Sequence, residues 1–350
     1  MSTTAAPGVP ARLLRAAPWV ALVVVLVVLP QVLQPYWVNR VTGWIPLAIA
    51  ALGLNLLTGY NGQISVGHGA LYGLGAYATA LVVNEWDWPF LAAIAVGAVV
   101  CFGAGVVIGL PALRIKGLYL ALVTLAVATL FPQLVEQFSD TTGGTTGLAV
   151  TSLQEYRGRM RERSVKFEPP EWTGLAADQW RYYLFLALAA VCFVIVANIV
   201  SSRVGRSLVA IRDNEVAAEV SGVNVAATKV FTFGISAALA GVGGGLLALY
   251  NARVSSGSFT LAVSLYFLVA VVLGGPATTL GPALGAVLYG LFKDVVEAEV
   301  LPEAWKPASP LLLGALLVVT VLVAPGGIVG TTRQVRARFT ARRLRGTTPP

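Results

Sequence analysis

NLLTGYNGQISVGHGALYGLGAY, residues 55–77, is long enough to cross a membrane yet is written as no lipid-facing helix is written. It carries Gly59, Gly62, Gly67, Gly69, Gly73 and Gly75, interleaved with Asn55, Asn61, Gln63, Ser65 and the sole histidine, His68, inside an otherwise apolar run. Polar groups at membrane depth have to face protein, water or a passenger, because hydrocarbon offers them no hydrogen bonds.

The surrounding chain supplies the membrane. Of 350 residues, 57% are hydrophobic and 11% charged, with a mean hydropathy of +0.77, whereas soluble domains carry roughly 25% charged residues. Apolar runs recur from end to end, which predicts an all-α polytopic membrane protein with a single membrane domain, residues 18–330. The net charge of +8 does not indicate nucleic acid, since six arginines (Arg333, Arg336, Arg338, Arg342, Arg343, Arg345) sit in the tail 331–350, directly after the last apolar run. That placement is a positive-inside signal. Cys101 and Cys192 lie within apolar runs and read as small hydrophobes, so neither a disulfide framework nor a metal site is expected. Arg12 and Arg15 precede the run from Pro18 to Tyr36, which resembles a secretory signal but is longer than one and lacks a small-x-small cleavage site, so it is expected to be a retained first span.

About ten transmembrane or partly spanning helices are predicted, near 18–36, 44–60, 64–84, 90–113, 118–138, 182–200, 231–251, 262–274, 280–293 and 309–328. The late ones are short or broken: Leu273-Gly274-Gly275-Pro276 splits an apolar stretch into either two short crossings or one broken helix. With the segment 1–17 inside, ten crossings return the arginine tail to the inside. The same register places Arg114 and Lys116 inside and the acidic connections Glu85 to Asp87 and Asp294 to Glu303 outside.

Two connections are long. Residues 139–181 fall outside and carry six basic residues (Arg157, Arg159, Arg161, Arg163, Lys166, Arg181) and six acidic ones (Asp140, Glu155, Glu162, Glu168, Glu171, Asp178). Residues 201–230 fall inside and are amphipathic. There Asp213 is the expected N-cap of a two-turn helix, Glu215 suits its first turn, Gly222 its C′ position, and Val216 and Val220 share one face. A short charged helix between two spans is either a docking element for a soluble protein or an interfacial connector.

No energy source is written in the chain. The lysines, Lys116, Lys166, Lys229, Lys293 and Lys306, none of them after a glycine, cannot build a phosphate-binding loop, and Thr142-Gly143-Gly144-Thr145-Thr146-Gly147 reads as an external turn. The predicted span interiors hold no Asp, Glu, Lys or Arg, with Glu136 at the end of one span, which disfavours proton or ion coupling. Neither a catalytic group nor a bound cofactor is expected. Energy is expected from another chain.

These blocks resemble the permeases of branched-chain amino acid ABC importers, of the LivM type within the LivH/LivM family. The resemblance runs from Asn55 to Gly327. It is carried by NLLTGYNGQISVGHGALYGLGAY, LRIKGLYLALVTLA (Leu113 to Ala126), TTGGTTGL (Thr141 to Leu148), RDNEVAAEVSGVNVAATK (Arg212 to Lys229), ALAGVGGGLLALY (Ala238 to Tyr250) and VVLGGPATTLGPALGAVLY (Val271 to Tyr289), in that order. The length and the long external loop are similar to LivM rather than to the shorter LivH. Arg157 to Trp180 and the turn Pro276-Ala277-Thr278-Thr279 depart from the family pattern. The resemblance implies a bacterial plasma-membrane subunit with both termini cytoplasmic. Its implied partners are a LivH-type permease, two cytoplasmic ATPases and an extracytoplasmic solute-binding protein. It also implies that the loop holding Arg212, Asp213, Asn214, Glu215, Ala218 and Gly222 docks on the ATPase.

Asn55, Asn61, Gln63, Ser65 and His68 are the candidate substrate-path residues, the alternative being that they satisfy backbone freed by the glycines. Gly69/Gly73, Gly105/Gly109, Gly241/Gly245 and Gly281/Gly285 have the spacing that lets helices approach closely. The competing function is a self-sufficient channel or ion-coupled carrier, with the same polar segment as filter or broken-helix site.

Overall fold

The apolar runs form helices, and the places where glycine, proline and polar residues interrupt them form the breaks. The computed structural model describes residues 9–332 apart from 114–116, 157–158, 165–168 and 325. The expectations for Arg114, Lys116, Arg157, Lys166, Glu168, the first eight residues and the six tail arginines lie outside the described residues.

Helices α1 (Val9–Val32) and α2 (Pro35–Leu54) are separated by only Leu33 and Gln34. The connection expected at 37–43 is helical instead, because Pro35 opens α2 from its first turn, where a missing N–H costs nothing. The chain continues through α3 (His68–Trp86), α4 (Phe90–Gly109), α5 (Leu118–Gln137) and the single turn α6 (Ser139–Thr142) to α7 (Ala177–Ser201). Next come α8 (Arg203–Asp213), α9 (Glu215–Val220) and α10 (Val225–Asn251), and finally α11 (Leu261–Gly274), α12 (Gly281–Leu291) and α13 (Ser309–Val323). Among the described residues six stretches are long and apolar enough to span a membrane: Pro35–Tyr60, Phe90–Leu113, Tyr119–Gln137, Ala177–Ser201, Val225–Asn251 and Ser256–Gly274. The protein is an all-α polytopic membrane protein.

The centre is α10, packed on α2, α3 and α4. Glycines set its distance from them. A Cβ on Gly75 would lie 2.3 Å from the Gly241 Cα, and one on Gly244 would lie 1.9 Å from the Tyr72 carbonyl oxygen. The predicted small-residue pairs sit at such approaches: Gly73 faces Phe131 and Phe259, Gly105 faces Ala237, and Gly245 faces Thr79. Ile49, Leu52, Leu246 and Phe267 fill the core between these helices. By contrast Val99 and Val107 on α4 and Val191 and Val194 on α7 are exposed, as on apolar helices that meet lipid.

The late segment resolves into a hairpin. Gly274 and Gly285 let α11 and α12 touch backbone to backbone, a Cβ on either lying 1.7 Å from the Gly281 or Ala270 carbonyl oxygen. Of the two alternatives, the structure has two short helices folded against each other, and α12 runs on as a π-helical stretch, Phe292–Val300. One end of the molecule carries two small antiparallel sheets that composition did not announce. Strand β1 (Leu148–Ala149) pairs with β4 (Arg253–Val254), and β2 (Thr151–Tyr156) with β3 (Arg159–Ser164), Thr151 facing Ser164. The charged stretch without a family counterpart is thus partly a hairpin. Asn84 at the end of α3 ties this end together, donating to the Ala149 carbonyl at 2.7 Å and accepting from the Thr151 N–H at 2.9 Å.

Three cations expected in connections lie in helices. Arg40 is in α2, Arg181 in α7 and Lys229 in α10, because each helix starts earlier than its apolar run. Each is neutralised or shared: Arg40 with Asp294 at 2.7 Å, Lys229 with Glu215 at 2.9 Å, and Arg181 with the Asn39 side chain and the Tyr250 ring.

Candidate functional site

Below Leu54 helix α2 widens into a π-helical turn, Asn55–Tyr60. The chain then reverses at Asn61 and Gly62, the latter with φ of +72°, a conformation glycine adopts without strain. Residues 61–67 return beside α2 without regular structure, and α3 begins at His68. The His68 Nε2 lies 3.0 Å from the Ala50 carbonyl, more than one α-helical turn above the start of the π-helical turn at Asn55. Irregular backbone therefore reaches well inside the helix bundle, where it has to be satisfied by protein.

Side chains from three elements do this. Thr58 Oγ1 donates to the Gln63 carbonyl at 3.0 Å, Thr124 Oγ1 of α5 accepts from the Val66 N–H at 3.0 Å, and Ser264 Oγ of α11 accepts from the Gly69 N–H at 2.8 Å. Single hydroxyls inside apolar helices were the only sequence signal for this role, and the sequence reading passed over them.

The five candidate path residues separate into two kinds. Asn55 is fully engaged, its Nδ2 donating to the Thr278 carbonyl at 2.8 Å and its Oδ1 accepting from the Ala277 N–H at 3.0 Å. It clamps the turn between α11 and α12, which answers to its structural alternative. Asn61, Gln63 and Ser65 are buried, and neither amide nor the hydroxyl has a hydrogen-bond partner among the described residues. They occupy alternate positions of the irregular stretch 61–67, with Ile64 between them 45% exposed, so the side chains buried there are the polar ones. His68 Nδ1, one step further, is likewise unpartnered. Its ring meets Phe267 edge-on at 5.9 Å, and Phe267 in turn meets Tyr72 at 5.0 Å.

The loop 201–230 is two helices rather than one. Asp213 closes α8, and the N-cap of α9 is Asn214, whose Oδ1 accepts from the Ala217 N–H at 3.0 Å. The cap falls one residue later than expected because Asn214 is the extended residue, while Asp213 is still helical. Gly222 does end α9 at φ of +84°, its N–H bonded to the Glu219 carbonyl and that of Val223 to Ala218. Arg212 reaches across to the polar segment: Nη1 donates to the Gly59 carbonyl at 3.1 Å, Nη2 pairs with Asp213 at 3.0 Å, and its stem packs on Gly62. Glu215 pairs with buried Lys229, and Ala218 is buried. What α9 presents outward is Val216 and Val220, 67% and 85% exposed.

These two regions meet in one cavity of about 260 Å³, lined by Asn61, Gly62 and Gln63 on one side and by Arg212 to Glu215 with Lys229 on the other. It offers amide donors and acceptors beside a balanced set of charges. Among the described residues no group of His, Cys, Asp and Glu is placed to hold a metal ion.

The family model described as branched-chain amino acid transport system / permease component matches residues 37–321. Salmonella typhimurium carries a high-affinity branched-chain amino acid transport system permease protein LivM that is 32% identical over 322 residues, 89% of this chain and 74% of the relative. The LivM protein of Escherichia coli is 31% identical over 323 residues, 90% and 75%. The LivH permease of Salmonella typhimurium is 28% identical over 300 residues, 83% and 94%. No solved structure matches the chain significantly. The chain belongs to the branched-chain amino acid transport system permease family, and within it to the LivM type, as a membrane transport subunit rather than an enzyme.

Proposed function

We propose that this permease forms part of the path by which branched-chain amino acids or similar small solutes enter the cell, driven by separate ATPases. In this reading the chain crosses the plasma membrane about ten times with both termini cytoplasmic, beside a LivH-type permease, two ATPase subunits and an external solute-binding protein. Asn61, Gln63 and Ser65 line the inner half of the path. Leaving a buried amide unpaired costs about 1–3 kcal/mol, so a fold that keeps three such side chains in a row serves a polar passenger better than it serves its own stability. Asn55 holds the path's wall, and His68 stands at its upper end.

The observation that carries this reading is the shared cavity, in which the polar segment and the α8–α9 junction are opposite walls. Arg212 links the two through the Gly59 carbonyl. The exposed Val216 and Val220 face supports docking of the ATPase on α9, with Arg212, Asp213, Asn214, Glu215, Ala218 and Gly222 shaping that helix from behind.

The test is reconstitution with the partner permease and ATPases. Val216→Asp with Val220→Asp is expected to abolish ATPase assembly and ATP-driven uptake, whereas Gln63→Ala lowers uptake and leaves assembly intact. Uptake undiminished in both variants refutes the reading. So does solute flux through this chain alone in liposomes without ATP, which would make it a channel or carrier.

A further inference from the structure

At the end of the molecule opposite α9 lies a second cavity, about 730 Å³, between α2, α10, α11 and α12. Its size falls within the roughly 300–1,000 Å³ of small-molecule sites. The sequence did not mark it as a site, and none of the five candidate path residues lines it, although Tyr72 from the same stretch does.

Its walls divide by chemistry. Tyr266 and Tyr289 form a tilted aromatic pair with centroids 4.8 Å apart, and Phe267 and Tyr72 continue the apolar surface inward. The same cavity is lined by three charged side chains, Arg40, Lys293 and Asp294. Asp294 is a fixed anion: Oδ1 pairs with Arg40 at 2.7 Å and Oδ2 accepts from Trp44 Nε1 at 2.7 Å. The Trp44 ring can lie there because position 290 is glycine, where a Cβ would come within 2.4 Å of the indole nitrogen. Arg40 is held by Asp294 and by the Tyr36 hydroxyl at 2.5 Å. Lys293, exposed, has no ion pair among the described residues.

Two cations and one anion thus face an aromatic surface. A simple anion gains Lys293 but meets Asp294. A simple cation gains Asp294 but meets Arg40 and Lys293. Only a molecule bearing both charges beside an apolar group satisfies every wall. We propose that this cavity is a binding site for a zwitterionic α-amino acid, with its carboxylate at Lys293 beside Arg40, its ammonium at Asp294, and its apolar side chain against Tyr266, Tyr289 and Phe267. This deepens the importer reading and rests on it for the direction of transport, the site being where solute enters before passing the ring stack Tyr72, Phe267 and His68. Those rings touch in turn, Tyr72 with Phe267 at 5.0 Å and Phe267 with His68 at 5.9 Å.

The test places a reporter thiol at Gly257, which lines the cavity and has open space where a side chain would go. The native Cys101 and Cys192 are buried. In proteoliposomes holding the assembled importer, Gly257→Cys is labelled with a membrane-impermeant anionic thiosulfonate. L-leucine at ten times its dissociation constant is expected to slow labelling about tenfold, since the free site falls as 1 + [L]/Kd. Isoamylamine and isocaproate, each lacking one charge, are expected to protect far less at that concentration. Lys293→Gln, which breaks no ion pair seen among the described residues, is expected to erase the advantage of leucine over isoamylamine. Equal protection by all three compounds overturns the proposal. So does protection on adding the second permease without solute, or absence of protection by leucine while the same vesicles take it up with ATP. Protection by leucine without ATP-driven uptake upholds the site and removes the importer reading instead.

Discussion

Gly244→Ala is expected to push α3 off α10. The added Cβ would stand 1.9 Å from the Tyr72 carbonyl oxygen, 2.9 Å from its carbon and 3.0 Å from the Ala76 nitrogen, all backbone atoms of a neighbouring helix. No side-chain rotation relieves such a contact. Restoring even 3.0 Å at the oxygen moves one helix by about 1 Å against the other, in a region where Gly75 and Gly241 already touch. Overpacking of this kind costs typically 1–3 kcal/mol. The same substitution also gains about 1 kcal/mol of helix propensity, which would blur a single measurement.

Gly103→Ala removes the blur. Gly103 also lies inside a helix, α4, but is exposed, with nothing within 4 Å of its would-be Cβ. Both variants share the propensity gain, so the difference between them isolates the crowding term. Unfolding of the purified chain by a graded denaturing detergent is expected to rank Gly103→Ala at or above wild type, and Gly244→Ala below Gly103→Ala by about 1–3 kcal/mol. Because Tyr72 lines the 730 Å³ cavity, uptake by the assembled importer should fall in Gly244→Ala and not in Gly103→Ala. Equal stability of the two variants would refute the close backbone approach on which the central packing rests.

Three further outcomes follow from named contacts. Asn55→Ala deletes both bonds to the turn at Ala277 and Thr278, and with losses of about 1–3 kcal/mol per stranded buried group it should lower unfolding stability by roughly 2–4 kcal/mol. Asn214→Ala removes the α9 cap and should cost about 1 kcal/mol locally, read as faster hydrogen exchange at Ala217 and Ala218, while Asp213→Ala leaves exchange there unchanged. Lys229→Met removes the ion pair that fastens α9 to α10, so coupling of ATP hydrolysis to uptake should loosen, and adding Glu215→Gln should recover part of the lost stability because the pair acts as a unit.

Much of the fold was legible because membrane helices are written in composition. The apolar runs located every long helix, with errors at the ends, where polar residues continue a helix that hydropathy alone would stop, and in the loop 201–230, where α8 was not foreseen. Pro35 moved one boundary, and Arg181 and Lys229 joined helices because each found a partner that a window average cannot see: Asn39 in one case and Glu215 in the other. The hairpin Thr151–Tyr156 with Arg159–Ser164 was not legible, since its alternation is hidden in a charge run of mixed sign. The cavity lined by Arg40 and Asp294 was invisible for a different reason. Arg40 and Asp294 are 254 residues apart, and nothing local to either residue announces the other.

The polar segment lies between these extremes. Its residues were singled out as a group, but their composition could not divide Asn55, which grips a distant turn, from Asn61, Gln63 and Ser65, whose side chains have no hydrogen-bond partner among the described residues. Position divides them. Asn55 belongs to the last helical turns of α2, where a side chain points at whatever helix end packs beside it. At Asn61 and Gly62 the chain turns, and through residues 61–66 buried positions alternate with more open ones. In N-G-Q-I-S-V, residues 61–66, the polar members fall on one parity and Gly62, Ile64 and Val66 on the other. A strand at a soluble surface would turn the polar parity to water and bury Ile64. Here the burial is reversed, with Ile64 exposed and the amides inside. The reversal leaves Asn61, Gln63 and Ser65 turned into the protein without side-chain partners among the described residues, which is the arrangement the proposed path rests on.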